Sequence, residues 1–254
     1  MSSNTWTIAE LVSSIHSLSG ACWRVVETQY KNSTMKLTDT LDEQAIIEQE
    51  IEETKPPIPA ECQHLDVLLY TPFRYRPYKF NSRFRRSGSL EGAFYASEHV
   101  ETAVAEQAFR RLLFFADSPD TPFPENPTEY TAFKADFETN RAIDISAGAL
   151  ARPYFLDPID YSECQRLAEA ARAEGVDVIR STSVRDPQGK ANITILRCRA
   201  FSKPTTRTRQ TWHLHLGFEG IRAYCEMPAA SLMFNRDTFT DPRLDAFSWD
   251  RASP

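Results

Sequence analysis

"TPFRYRPYKFNSRFRRSGS", residues 71–89, carries five arginines (Arg74, Arg76, Arg83, Arg85 and Arg86), one lysine, five aromatics and no acidic residue. It lies in a chain of 254 residues with a formal net charge of -6. Guanidinium forks match phosphate oxygens and aromatic faces stack on bases, so the stretch suits a nucleic acid or a phosphorylated small molecule. The plain alternative is that these side chains pair with some of the 35 acidic residues of the chain.

Working outward, "LDVLLY" (65–70) is a short apolar run consistent with a buried strand. "GAFYAS" (92–97) reads as another strand, with Ser97 as N-cap of a helix from Glu98 to about Phe115. Upstream, "TLDEQAIIEQEIEET" opens with Thr40 three residues before Glu43, a capping box, and sets Leu41, Ala45 and Ile51 on one side. The helix stops at "KPPIP", because adjacent prolines cannot continue it. Before it come an amphipathic start around Ile8 to Leu18 and a strand-like "CWRVV". Residues 1–60 are therefore expected as a mainly helical N-terminal extension, and 61–254 as the main domain.

Downstream, "DSPDTPFPENP" must be a loop. A helix around Tyr130 to Thr139 is expected next, then a strand at "RAIDIS". "DYSECQRLAEAARAEG" is a clear helix, opened by Asp160 with Glu163 and closed by Gly175. "VDVI", "NITILRCRA", "TWHLHLGF" and "IRAYCEM" read as strands, the last two joined around Gly220. Strands and helices interleave without a regular repeat, so the expected class is α+β with a mixed β-sheet core and flanking helices.

The acidic balance argues against a general nucleic-acid binder but leaves room for a local anion pocket. There is no basic leader and no run of eighteen apolar residues, so the expected location is the cytoplasm, without a membrane span. Five scattered cysteines without a CxxC pair fit buried, reduced thiols. His213 and His215 share a strand face, but no third ligand stands at a telling distance, so no metal site is expected. P-loop, GxGxxG, GxSxG and HExxH patterns are all missing, and with eight glycines any phosphate must be held by side chains.

Two places can carry chemistry. Glu106 has Ala103, Phe109 and Leu113 at i-3, i+3 and i+7, so its carboxylate leaves an apolar arc where something must meet it; the bland partner is Arg110, one turn on. "RSTSVRD" (180–186) sets three hydroxyls between two arginines directly after a strand.

The succession "FRYRP", "SRF", "GAFYAS", "TAVAE" and "GVDVIRSTSVRD", from about Phe73 to Leu196, resembles the RES domain. This bacterial family is named for its arginine, glutamate and serine, and its characterised members are NAD-degrading toxins. The resemblance implies an ADP-ribosyltransferase-like fold with an NAD cleft between sheet and helices. Carried over by motif, it implies Glu106, Arg83 and Tyr95 as catalytic residues, and Arg74, Arg83, Tyr95, Ser183 and Arg185 as residues that bind NAD. NAD is then a substrate, with inorganic phosphate as a candidate co-substrate and no bound cofactor. One departure is "FNSRF", where many members carry a glycine pair before the second arginine. The resemblance further implies a cognate antitoxin, with nucleic acid contacted only through it, and leaves oligomerisation open.

Cleaving the bond from nicotinamide to ribose gives an oxocarbenium-like transition state, which an ionised carboxylate stabilises. Nicotinamide departs neutral, so no second acid is required. The leading expectation is NAD cleavage by phosphorolysis or hydrolysis. The alternatives are ADP-ribosyl transfer to a macromolecule, a nucleic-acid binding module built on residues 74–86, and an inactive scaffold in which Glu106 bridges Arg110.

Overall fold

The structure, a computed structural model, describes residues 5–28, 37–75 and 77–251, so Arg76 lies outside the described residues. In chain order its elements are α1 (Ile8–Ser13), β1 (His16–Glu27), α2 (Leu41–Thr54), α3 (Val67–Arg74), β2 (Phe94–Ser97), α4 (Val100–Ala116), β3 (Thr128–Asp144), α5 (Ser162–Ala173), β4 (Val178–Thr182), β5 (Ala191–Ile195), β6 (Arg207–Gly217), β7 (Gly220–Cys225) and β8 (Ala230–Asn235). The fold is α+β. The strands form one mixed sheet in the order β1-β2-β5-β4-β3-β6-β7-β8, with β1 also paired to β3.

β3 organises the sheet. Along its first half it is flanked by antiparallel β1 and antiparallel β6; after an irregularity at Phe133 and Lys134, β6 leaves and parallel β4 takes that edge at Ala142 to Asp144. Trp23 of β1 meets Ser97 of β2, which closes a ring β1-β2-β5-β4-β3. β1 belongs to the segment expected as an N-terminal extension, and it runs along β3 nearly from end to end.

Several elements follow their local chemistry. Thr40 and Glu43 make the reciprocal capping box of α2, and Gly175, with φ +71, ends the turn after α5. Others depart from the sequence reading. "LDVLLY" enters helix α3 rather than a strand, because Asp66 accepts a hydrogen bond from the Leu68 amide as N-cap, and Leu69 and Phe73, one turn apart, share the buried face. Residues 130–139 are strand rather than helix. Paired on both edges, β3 buries Tyr130 and Ala132 in one apolar cluster and Phe133, Ala135 and Phe137 in another. The amphipathic start stops at Ser13, and His16 already belongs to β1. α4 begins at Val100 with His99 as its cap, since Ser97 ends β2 and donates its hydroxyl to Asn192 instead.

Three apolar clusters hold the layers. α4 packs Val104, Ala108, Leu112 and Phe115 against Trp23, Tyr130 and Trp212 of the sheet, together with Phe239 and Phe247 from the chain end. α3 packs Leu69 and Phe73 on Phe94, Phe133 and Phe201, and α5 packs Leu167 and Ala171 on Ile143, Ile179 and Phe84. The expectation of free thiols needs correction at one pair. Cys62 and Cys198 form a disulfide with a Cα separation of 5.4 Å, whereas Cys22, Cys164 and Cys225 are free and buried. A sequence separation of 136 gives no hint of that pairing, which arises where the short 3-10 turns Ala60–Cys62 and Cys198–Ala200 meet.

Candidate active site

The strands β1, β2, β4 and β5, the helix α4 and the loop 78–85 surround a cavity of about 480 Å³, a size suited to a small-molecule ligand. Glu106 enters it from α4. Its Oε1 accepts two hydrogen bonds, from the Ser183 hydroxyl at 2.7 Å and from the Asn192 amide at 2.6 Å. No described residue donates to Oε2, and Glu106 forms no ion pair with Arg110 among the described residues. The scaffold reading that required that bridge therefore loses its premise. One turn earlier, the buried Thr102 hydroxyl donates to Asp186 at 2.7 Å, which ties the loop after β4 to α4.

That loop is itself built around Ser183. Its oxygen accepts from the amides of Arg185 and Asp186 at 3.1 and 3.0 Å while its hydrogen goes to Glu106. All the capacity of the buried hydroxyl is thus spent within the protein, and its hydrogen orients the Glu106 carboxylate.

The loop 82–85 is fixed from three sides. The Tyr95 hydroxyl bonds Ser82 Oγ at 2.7 Å and accepts from the Phe84 amide at 3.1 Å; burial pushes this phenol above its usual range, against those two hydrogen bonds. Gln165 of α5 donates to the Ser82 carbonyl at 3.0 Å. Arg83 donates to the carbonyls of Thr182 at 2.7 Å and Phe155 at 2.8 Å. Tyr95 thereby shapes the wall that carries Arg83 and Arg85. Arg85 lays its guanidinium 3.7 Å from the centre of the Tyr78 ring. The Nε atoms of both Arg83 and Arg85 are buried without a hydrogen-bond partner.

Positive charge exceeds negative in this cavity. Arg24 of β1 donates to the Tyr95 carbonyl at 3.0 Å and lies over Phe94; burial first, and then the charge of Arg110, bring its guanidinium down to about 10, where it is still cationic at neutral pH. Arg24, Arg83, Arg85 and Arg110 line the cavity with no carboxylate partner among the described residues. Arg185 and Arg243 also line it, and both pair with the single carboxylate of Asp241, at 2.7 Å each.

Of the residues singled out in the sequence, Glu106, Arg83, Tyr95 and Arg185 line the cavity and Ser183 supports it from behind. Two of the expected binding residues are engaged by protein groups. Arg74 stands outside the cavity lining, because its guanidinium is taken by Glu52 at 2.6 Å and the Pro56 carbonyl at 2.5 Å, which straps α2 to α3. Arg185 lines the cavity while it stacks on Phe109 at 3.7 Å and pairs with Asp241.

Sequence reasoning missed Arg24 and Asn192, and it counted Arg85 in the arginine-aromatic stretch without giving it a place in the site. The available signals were an arginine inside the apolar run "CWRVV", and Asn192 and Thr194 alternating with isoleucines in "NITIL", which turns a polar face to the cavity. His213 stacks on Tyr224, and no cluster of metal-ligating side chains occurs among the described residues. No described helix is long and apolar enough to cross a membrane.

A family model described as the RES domain matches residues 58–217. No curated protein matches the chain. The crystal structure of the M. tuberculosis MbcT-MbcA toxin-antitoxin complex contains a chain with 12% sequence identity and a TM-score of 0.46, over 80% of this chain and 89% of that one.

Proposed function

The chain belongs to the RES domain family, and from that premise we propose that it is an NAD-degrading toxin that cleaves the nicotinamide-ribose bond. The observation that carries the reading is the asymmetry of Glu106: Oε1 is held by Ser183 and Asn192, and Oε2 is left to the cavity. As the C1'–N bond breaks, nicotinamide leaves with the bonding electron pair, and the positive charge that builds on the ribose faces this carboxylate. The arginines without carboxylate partners supply the complement to the NAD diphosphate.

Four such arginines against one carboxylate exceed what a diphosphate with two negative charges neutralises. That surplus favours an anionic acceptor, so we assign phosphorolysis: an oxygen of inorganic phosphate bonds to C1' and the products are nicotinamide and a phosphorylated ADP-ribose. Water in the same place would give ADP-ribose and release a proton.

An enzyme that empties the NAD pool of the cytoplasm would poison its host, so the proposal includes a cognate antitoxin protein. A carboxylate-bearing segment that meets Arg24, Arg85 and Arg110 would compete with NAD. Expression in bacteria tests the reading. Wild type should arrest growth and deplete NAD, Glu106→Gln should do neither, and co-expression of the neighbouring gene should restore growth. Undiminished NAD at high levels of folded wild-type protein contradicts the proposal.

A further inference from the structure

We infer that Ser97 is a positioning residue for Glu106, acting through Asn192, and that the relay leaves Oε2 as the carboxylate oxygen that meets the substrate; this rests on the NAD-cleavage reading above. The strand register makes the relay. Ser97, the last residue of β2, stands directly opposite Asn192 of β5, one residue into that strand. The Ser97 hydroxyl donates to Asn192 Oδ1 at 2.7 Å, and Asn192 Nδ2 donates to Glu106 Oε1 at 2.6 Å.

An asparagine amide has two orientations, and only one is useful here. With Oδ1 turned toward Glu106, acceptor would face acceptor. Glu106, which can only accept, requires the orientation that points the NH2 group at it, and Ser97, 2% exposed, donates to Oδ1 and holds the side chain there. Ser183 supplies the second donor to the same oxygen from the opposite element. Oε1 is thereby fixed by two donors, the carboxylate plane is set, and Oε2 is presented to the cavity without a protein donor. Ser97 also lines the cavity, but its hydroxyl hydrogen is committed to Asn192 and no described hydrogen bond joins it to Glu106, so the hydrogen-bond path from Ser97 to the carboxylate runs through Asn192.

The test is steady-state NAD cleavage by the full chain carrying Ser97→Ala or Ser97→Thr, with thermal unfolding as the check on folding. Ser97→Ala should lower kcat ~10-fold or more at a KM for NAD within about twofold of wild type, because the reacting group is misaligned while the anion contacts survive. Ser97→Thr keeps the hydroxyl and should recover most of the loss. A kcat for Ser97→Ala within about twofold of wild type, or a loss expressed in KM, overturns the inference. A Ser97→Thr variant that folds yet is as slow as Ser97→Ala does so equally.

A second readout needs no activity. In the unliganded protein the Asn192 side-chain amide protons should exchange slowly with solvent in wild type and Ser97→Thr, and quickly in Ser97→Ala. Unchanged protection in Ser97→Ala overturns the relay. If wild type leaves NAD intact, the NAD reading fails, and the amide exchange still decides whether Ser97 orients Asn192.

Discussion

The guanidinium of Arg185 lies 2.7 Å from the carboxylate of Asp241, and the two side chains are only 4% and 0% exposed. This pair joins the loop after β4 to the chain end, and Arg243 completes it from the same carboxylate. Asp241→Ala leaves Arg185 buried without its counter-charge and should cost on the order of 3–5 kcal/mol, read as a fall in the denaturation midpoint.

The same pair sets a pH dependence. Burial works to raise the Asp241 pKa, but the hydrogen bonds from Arg243 and the charges of Arg185 and Arg243 outweigh it and bring it from 3.8 to about 2. A depressed folded-state pKa contributes stability above the unfolded value and loses it as pH falls through the folded one. About 2 kcal/mol should therefore disappear between pH ~4 and pH ~2. Urea titrations across that range should show the slope in wild type and a flatter one in Asp241→Asn.

Glu106→Gln should lose NAD cleavage by 10²-fold or more, on the order of 3 kcal/mol in the barrier. The amide still accepts from Ser183 and Asn192, so the melting temperature should stay close to that of wild type. A variant that retains turnover, or one that unfolds, contradicts the role given to this carboxylate.

Within the arginine-aromatic stretch Arg74, Arg85 and Arg86 should separate. Arg85→Ala removes a cation without a carboxylate partner from the cavity and should weaken NAD binding by about 2 kcal/mol, roughly thirtyfold in KM. Arg85→Lys should recover only part of this, since an ammonium lacks the planar fork. Arg86 pairs with Glu169 at the surface, both about half exposed, so Arg86→Ala should change stability by less than ~1 kcal/mol and leave KM alone. Arg74→Ala should loosen α2 without touching KM, because Arg74 holds Glu52 and the Pro56 carbonyl. Equal effects on KM from Arg74, Arg85 and Arg86 would contradict this division.

Gly92 tests the packing behind the same loop. A Cβ there would lie 2.5 Å from the Pro72 carbonyl oxygen and 2.6 Å from Phe73 Cα, both backbone atoms that cannot step aside. Gly92→Ala should destabilise by about 1–3 kcal/mol, measured by denaturant titration.

Local chemistry made much of the fold legible. Thr40 with Glu43, the prolines of residues 117–127, Gly175 and the alternation in β5 to β7 each act over a few residues, and the structure follows them. The departures have a common origin in partners remote along the chain. β3 became one strand because β1 and β6 pair with it on both edges, and no pattern inside residues 128–144 encodes those neighbours. Ser97 was free to cap α4 until Asn192, 95 residues away, took its hydroxyl. The site divides in the same way. Glu106 was legible as a carboxylate on an apolar arc, whereas the fates of Arg74 and Arg185 depended on Glu52 and Asp241, whose positions only the tertiary fold determines.

The most direct measurement is to incubate purified protein with NAD, with and without inorganic phosphate, and identify the products by mass. The account predicts nicotinamide together with a phosphorylated ADP-ribose, formed only when phosphate is present and not formed by Glu106→Gln. Intact NAD in both incubations would contradict cleavage itself, and ADP-ribose at a rate indifferent to phosphate would contradict the anionic acceptor.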